Sequence, residues 1–183
     1  DIGYRYVVQT LQDRGASDVL FDMNSRYDVP GYGYQIAMGE TALAESWQSR
    51  DYLSHNHCML GHLYSWLFSG IGGISQESGS TAYKRIVIDP QIVGDLRDAR
   101  VSFRSPYGLI HSEWKDAPDE FVQTVEIPAN ATARICLPAT DPAKVTESGK
   151  PVSGRKDMAV ESGTDGRIEL HVGSGVYRIA VEK

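Results

Sequence analysis

The segment from Leu63 to Ile88, LYSWLFSGIGGISQESGSTAYKRIVI, contains a change in hydrophobic period. Up to Gly70 the apolar residues recur every three or four positions, which is typical of one face of a helix. That stripe contains Met59, Leu63, Trp66 and Leu67. Residues 70–80 are rich in glycine and serine without an apolar period, which indicates a linker or a long loop. From residue 83 onward apolar and polar residues alternate, which predicts β-strands. The chain therefore divides into a helical part and a β part.

The helical part begins with a second apolar stripe, which contains Tyr4, Val7, Val8 and Leu11. Gly15 lies where a C-terminal glycine would end this helix, and Ser17 offers an N-cap for a short helix after it. The sequence Val29-Pro30-Gly31 stops that helix. About three short helices bury little apolar surface by themselves. We therefore expect residues 1–75 to be the tail of a larger helical domain.

The β part has many short alternating segments separated by turn sequences. Turns are predicted at residues 105–108, 164–166 and 173–175. Short strands at this spacing favour an antiparallel sandwich or barrel. The predicted fold is α+β, with a short helical segment at residues 1–75, a linker at 76–82 and an antiparallel β-sandwich at 83–183.

Charge and hydropathy restrict the partners. The 183 residues carry a formal net charge of −6 and no cluster of Lys and Arg, so nucleic acid is not expected as a partner. No apolar run has the length of a membrane span, so no membrane insertion is expected. The chain shows no signal peptide and no initiating Met, which indicates a mature or cut chain. The compartment stays open between the bacterial periplasm, the extracellular space and the cytoplasm.

The cysteines and histidines raise the question of a disulfide or a metal site. Cys58 and Cys136 lie far apart, and two free thiols are expected, although a disulfide stays open. The segment His55–His62 contains three histidines and Cys58, which are residue types that bind zinc. Their spacing does not match a compact zinc motif. No metal and no cofactor are predicted.

Residues 30–74 combine aromatic, carboxylate, Asn and His side chains with glycine. Aromatic rings pack against the C–H face of a pyranose, and polar side chains bind its hydroxyls. A carboxylate in such a site can act as a base on water. This composition is typical of a sugar-binding site, and the motifs are Pro30-Gly-Tyr-Gly-Tyr34, Gly39-x-Thr-x-Leu-x-Glu-x-Trp47, Ser54-x-Asn-His-x-x-x-Gly61 and Trp66-Leu-Phe-x-x-Ile-x-Gly-Ile74.

In this order the motifs resemble the inverting α-L-rhamnosidases, a family of glycoside hydrolases built on an (α/α)₆ barrel followed by a small β-sandwich. The later stretch from Ile127 to Ala133, Leu137-Pro138 and the final Gly-Ser-Gly-x-Tyr are also similar to the C-terminal domain of that family. The resemblance covers nearly the whole chain. It implies a bacterial enzyme that removes terminal α-L-rhamnose from glycosides by inversion.

The resemblance also assigns roles to residues. Glu45 matches the general base and His57 the histidine that contacts the sugar, while Trp47 would lie beside Glu45 as a wall or orienting residue. Tyr34 and Asn56 are further candidates for substrate binding. Ala44 stands where the family usually has Trp. The general acid comes from an earlier part of the barrel, so the isolated fragment is predicted to be inactive.

The sequence also allows other interpretations. Glu45 alone would be an ordinary surface glutamate. The β part alone could be a carbohydrate-binding module that uses an exposed Trp114 or Tyr107, or it could brace the barrel without binding anything. The apolar faces of the helices would be exposed in a cut barrel, and a homodimer through this helical face is one expected consequence.

Overall fold

The computed structural model describes residues 3–183, and these form two compact units. The first comprises the described residues up to Gly70 together with Val93–Asp95. The second comprises Ile71–Ile92 and Leu96–Lys183. The architecture of short helices followed by β-sheets is the α+β class that the hydrophobic periods predict.

Short helices and an irregular loop make up the first unit. The helical segments are α1 (Tyr4–Asp13), α2 (Ser17–Ser25), α3 (Tyr32–Ala37), a 3₁₀ turn (Cys58–Leu60) and α4 (Leu63–Trp66), which a π-helical turn (Leu67–Ile71) extends. No helix within residues 3–183 combines the length and the apolar character needed to cross a bilayer.

The end of α1 follows its predicted glycine. Gly15 has φ +68°, its N–H donates to the carbonyl of Gln12, and the N–H of Ala16 donates to the carbonyl of Leu11. This pair of hydrogen bonds is a Schellman motif, which requires a left-handed residue and so favours glycine. The helix therefore ends where the sequence predicts.

Trp66 links α4 to α2 in the core of the first unit. The indole is buried, and its Nε1–H donates to Oγ of Ser17 at 2.7 Å. Ser17 is therefore a buried acceptor in the first turn of α2 and not the N-cap that its position suggests. Gly70 permits this arrangement, because a Cβ at that position would lie 2.3 Å from Cδ1 of the indole.

Two sheets make up the second unit. The five-stranded sheet has the order β1 (Ile74–Gln76), β2 (Arg85–Ile88), β6 (Thr132–Leu137), β10 (Ile168–Val172), β9 (Ala159–Ser162). The six-stranded sheet has the order β3 (Asp98–Ser105), β4 (Gly108–Asp116), β5 (Glu120–Ile127), β11 (Gly175–Glu182), β7 (Val145–Glu147), β8 (Lys150–Pro151).

One strand pair departs from the predicted antiparallel sandwich. β2 and β6 are parallel, with Arg85 opposite Thr132 and Ile88 opposite Ile135. The other strand pairs within residues 3–183 are antiparallel. The alternation of apolar residues predicts which faces are buried, but it carries no information about strand direction.

The sandwich core is apolar and contains Trp114. Its indole is 1% exposed, and Nε1–H donates to the carbonyl of Ile71 at 2.8 Å. The ring of Phe121 stacks on it at a centroid distance of 6.4 Å. Alternate residues of the long strands are also buried, among them Ile110, Val125, Ile179 and Val181. A tryptophan in this position stabilises the fold and offers no ring face to a ligand in solvent.

The boundary between the units differs from the predicted linker. The units divide at Gly70/Ile71, and residues 76–82 lie between β1 and β2 inside the second unit. Ile74 is buried and pairs with Ile88. The glycine- and serine-rich run therefore contains an edge strand, which is too short to show a period in the sequence.

Both cysteines are free thiols in different environments. Cys58 is exposed, whereas Cys136 on β6 is buried. Burial, assisted by the nearby negative charge of Asp89, raises the pKa of the Cys136 thiol to about 12. Because the thiolate is the reactive form, Cys136 is protected both sterically and chemically.

Thiol labelling tests this difference. At pH 8 in the native chain, we expect Cys58 to react with an aromatic disulfide reagent about 100-fold faster than Cys136. Cys58→Ser should remove the fast phase, and Cys136→Ser should leave it intact. Two equally fast thiols in the native chain would contradict the burial of Cys136.

The contact between Gly70 and Trp66 predicts a stability effect. Gly70→Ala should destabilise the first unit by about 1–3 kcal/mol, because the added methyl group must displace a buried indole that donates a hydrogen bond. Gly3→Ala is the matched control, since a Cβ there meets nothing within 4 Å. The measurement is the denaturant midpoint followed by tryptophan fluorescence, and equal midpoints for the two variants would refute the packing constraint.

Candidate functional site

A long irregular loop, residues 38–57, connects α3 to the 3₁₀ turn of the first unit. Two backbone hydrogen bonds close it on itself. Glu45 N–H donates to the carbonyl of Ser54, and His57 N–H donates to the carbonyl of Leu43, both at 2.8 Å. The loop therefore brings the motif that contains Glu45 beside the motif that contains His57.

The carboxylate of Glu45 is held at one oxygen. Oε2 accepts a hydrogen bond from the backbone N–H of Ser54 at 3.1 Å. Oε1 has no hydrogen-bond partner within the described residues, and the side chain is half-buried. One oxygen is thus oriented by the protein, and the other is available to a water molecule or a hydroxyl.

His57 is oriented by the 3₁₀ turn that follows it. Its Nδ1 accepts a hydrogen bond from the N–H of Met59 at 3.1 Å, so the imidazole caps that turn. In a neutral imidazole the acceptor nitrogen has no proton, so the proton is on Nε2. His57 therefore presents an Nε2–H donor that no described residue uses.

Gln35 on α3 supports the loop from the inside. Its side chain is 3% exposed, Nε2 donates to the carbonyl of Ser46 at 3.2 Å, and Oε1 accepts from the N–H of Ala44 at 3.3 Å. The carboxamide thus binds the backbone on both sides of Glu45. Nothing in the hydrophobic pattern points to Gln35, since a single polar residue between apolar neighbours gives no spacing signal.

Trp47 lies in an aromatic cluster with Tyr4 and Tyr32. The ring of Trp47 packs edge-on against both tyrosines, with centroids 4.9 and 5.1 Å apart. The hydroxyl of Tyr32 donates to the carbonyl of Leu60, and that of Tyr4 donates to Oδ1 of Asn24. Packing of Trp47 against these tyrosines fixes the segment after Glu45, which is compatible with the predicted wall and orienting role.

Tyr34 and Asn56 are less closely tied to the loop centre. Tyr34 is half-buried on α3, and Asn56 is exposed with its backbone N–H on Oγ of Ser54 at 3.2 Å. No hydrogen bond within residues 3–183 joins either side chain to Glu45. Their role in substrate binding stays a prediction.

A second carboxylate in the loop is paired with a histidine. Oε1 of Glu40 lies 2.7 Å from Nδ1 of His55, and the Glu40 side chain is 11% exposed. The His55 side chain is 42% exposed and has this carboxylate as its partner. The pair uses one oxygen of Glu40 and one ring nitrogen of His55, and Oε2 and Nε2 have no hydrogen-bond partner within the described residues. It differs from Glu45 and His57 in that its carboxylate and imidazole bind each other.

A separate groove of about 620 Å³ lies between α1 and the segment from Gly61 to Ser69. Its lining includes Arg5, Asp13 and His62, and none of the predicted site residues. Among the described residues, no group of three His, Cys, Asp or Glu side chains is arranged to hold a metal ion.

Two family models match the chain. The bacterial α-L-rhamnosidase 6-hairpin glycosidase domain matches residues 1–71, and the bacterial α-L-rhamnosidase C-terminal domain matches residues 73–151. The division between the two matches falls within three residues of the boundary between the two units.

Relatives of this chain carry the same description. An α-L-rhamnosidase of Streptomyces avermitilis is 30% identical over 98% of this chain, which covers 17% of that protein. An α-L-rhamnosidase of Formosa agariphila is 25% identical over 99% of this chain, which covers 19% of that protein. The chain thus spans about a fifth of the length of these relatives.

Solved structures agree with the sequence relatives. The α-L-rhamnosidase of Dictyoglumus thermophilum superimposes with a TM-score of 0.84 at 27% identity, covering 98% of this chain and 20% of that one. The Streptomyces avermitilis α-L-rhamnosidase complexed with L-rhamnose superimposes with a TM-score of 0.82 at 29% identity, covering 95% of this chain and 17% of that one. Homology to α-L-rhamnosidases therefore extends over the helical unit and the sandwich.

The aromatic cluster predicts a loss of stability at alkaline pH. Burial raises the pKa of Tyr4, and burial together with the neighbouring Tyr4 raises that of Tyr32. The unfolded phenols ionise near pH 10. The stabilisation is therefore complete below pH 10 and is lost as pH rises through the higher folded pKa values.

We expect Tyr32→Phe to weaken this pH dependence. The measurement is the denaturant midpoint of the first unit between pH 8 and pH 11, in the native chain and in the variant. Tyr6→Phe is the matched control, since Tyr6 is 66% exposed. Parallel curves for the native chain and Tyr32→Phe would contradict the burial of this phenol.

Proposed function

We propose that this chain is part of a glycoside hydrolase that removes terminal α-L-rhamnose from glycosides with inversion of configuration. Glu45 is its general base. The observation that carries the proposal is the Glu45 carboxylate, which is held by Ser54 N–H at one oxygen and free at the other, in a motif that matches the glycosidase domain. The names of the relatives supply the substrate class.

The free oxygen of Glu45 removes a proton from a water molecule, and this water attacks the anomeric carbon on the face opposite the leaving group. A general acid protonates the leaving oxygen. Inverting enzymes separate the two carboxyl groups by roughly 6.5–9.5 Å, which leaves room for the water. We propose that the acid lies in a segment outside residues 1–183, so the isolated chain is inactive.

His57 binds the sugar in this proposal. Its Nε2–H donates to a rhamnose hydroxyl, because Nδ1 is occupied by Met59 N–H. Tyr34 and Asn56 supply further contacts, and Trp47 supports the segment that carries Glu45. A neutral sugar also agrees with a chain of formal net charge −6, which would repel an anionic substrate.

The alternative of a carbohydrate-binding module requires an exposed Trp114 or Tyr107. Trp114 is buried and hydrogen-bonded in the sandwich core, and Tyr107 is half-buried. We propose instead that the sandwich braces the catalytic domain and binds no sugar by itself. A homodimer through the exposed side chains of α1 and α4, which include Tyr6, Val7 and Tyr64, stays a prediction.

The base is tested in the active enzyme that contains this segment. Glu45→Gln should lower kcat on an aryl α-L-rhamnoside by about 10²- to 10⁴-fold, because the amide cannot accept the proton from water. Asp51→Asn, an exposed carboxylate of the same loop, is the control and should retain activity. Proton NMR of the first product formed should show the anomer opposite to that of the substrate.

Two results would overturn the proposal. One is an enzyme whose rate is unchanged by Glu45→Gln. The other is a first-formed product of retained configuration, which would require a nucleophilic carboxylate in place of a base.

A further inference from the structure

We propose that Gln35 is a positioning residue for Glu45, an inference that rests on the proposed function. Gln35 is buried on α3, and its carboxamide forms hydrogen bonds to the two residues that flank the base. It touches no reacting atom in this proposal. Its effect on catalysis passes through the backbone that carries Glu45.

The loop needs such a support because it has no regular hydrogen-bond ladder. Ala44 is 1% exposed and Ser46 is 7% exposed, so their backbone groups are shielded from water. Buried N–H and C=O groups must be paired, and within the described residues the N–H of Ala44 is paired by the Gln35 carboxamide. The carbonyl of Ser46 accepts from both Gln35 Nε2 and Ser49 N–H.

Gln35 also anchors the start of the loop through its own backbone. Its N–H donates to the carbonyl of Gly31, the residue before α3, and its carbonyl accepts from the N–H of Glu40. One residue of a helix therefore fixes the loop at Glu40, at Ala44 and at Ser46. On the opposite side, Ser54 holds both the backbone and the carboxylate of Glu45.

The chemistry of the side chain explains why glutamine occupies this position. A carboxamide offers one donor group and one acceptor, which the carbonyl of Ser46 and the N–H of Ala44 require. A glutamate could accept from Ala44 but would place a carboxylate oxygen against a carbonyl. A methionine has nearly the same shape and neither strong hydrogen-bonding group.

Displacement of a catalytic group by about 1 Å can lower the rate by up to 10²-fold. In the active enzyme, Gln35→Met should therefore lower kcat roughly 10- to 100-fold. KM should change less than about threefold, since the proposed sugar donor His57 is positioned by Leu43 and Met59 and not by Gln35. Gln35→Glu should show the same pattern.

Amide hydrogen exchange in the chain gives a second, independent measurement. Loss of the carboxamide acceptor should speed exchange of the Ala44 N–H by about tenfold or more in Gln35→Met. In Gln35→Glu that amide should stay protected while kcat still falls, because the acceptor is kept and the donor is lost. Ile36→Met is the matched control, an exposed neighbour on the same helix, and should change neither quantity.

The outcomes separate the two proposals. If Glu45→Gln abolishes activity while both Gln35 variants keep the parental kcat, the proposed function stands and the positioning role is wrong. If Glu45→Gln retains the parental rate, the proposed function fails and the catalytic role of Gln35 fails with it. In a third outcome, both Gln35 variants lower kcat, raise KM by the same factor and lower the midpoint of thermal unfolding. Gln35 would then be a structural residue and not a positioning residue.

Discussion

A buried backbone group that has left water must find a hydrogen-bond partner, and an irregular loop has no ladder to supply one. In the loop of residues 38–57, side chains and other backbone groups of the loop supply these partners. Gln35 pairs the backbone of Ala44 and Ser46, and Ser54 pairs that of Glu45. The geometry of the candidate site follows from these pairs and from the bond of Met59 N–H to His57, because together they leave one carboxylate oxygen and one imidazole N–H without a partner among the described residues.

The polar groups of the second unit are arranged differently from those of the loop. The sandwich places Trp114, Phe121 and the aliphatic residues of its long strands in the core, and several of its ion pairs are partly exposed. An example is Arg167, which lies between Asp89 and Asp165. The guanidinium of Arg167 thus binds two carboxylates of the sandwich. The sandwich, whose backbone hydrogen bonds are regular, thus offers less evidence for a catalytic role than the loop of residues 38–57.

Hydrophobic period and turn residues allow much of the fold to be predicted. The stripe in α1, the glycine that ends it, and the turns at residues 105–108 and 164–166 are local features, and the structure has them at the predicted places. The sequence does not predict α3, the unit boundary at Gly70, or the parallel pairing of β2 with β6, because tertiary contacts decide each of these. At the candidate site, Glu45 and His57 are predicted from the family resemblance of their motifs. Gln35 gives no such signal, because its side chain binds backbone atoms of residues about ten positions away. The Glu40–His55 pair is not predicted either, because it joins two side chains 15 positions apart in an irregular loop.

The position of β6 in its sheet has a consequence for the time course of folding. β6 pairs with β2 on one side and with β10 on the other, and these strands are separated in sequence by dozens of residues. Parallel pairing over such a distance closes a long loop before it gains contacts, which slows folding. During synthesis, the apolar strands Ile86–Ile88 and Ala133–Leu137 are made well before Ile168–Val172 is available to complete the sheet. The sandwich is therefore expected to collapse late, with its edges exposed to neighbouring chains until the last strands leave the ribosome.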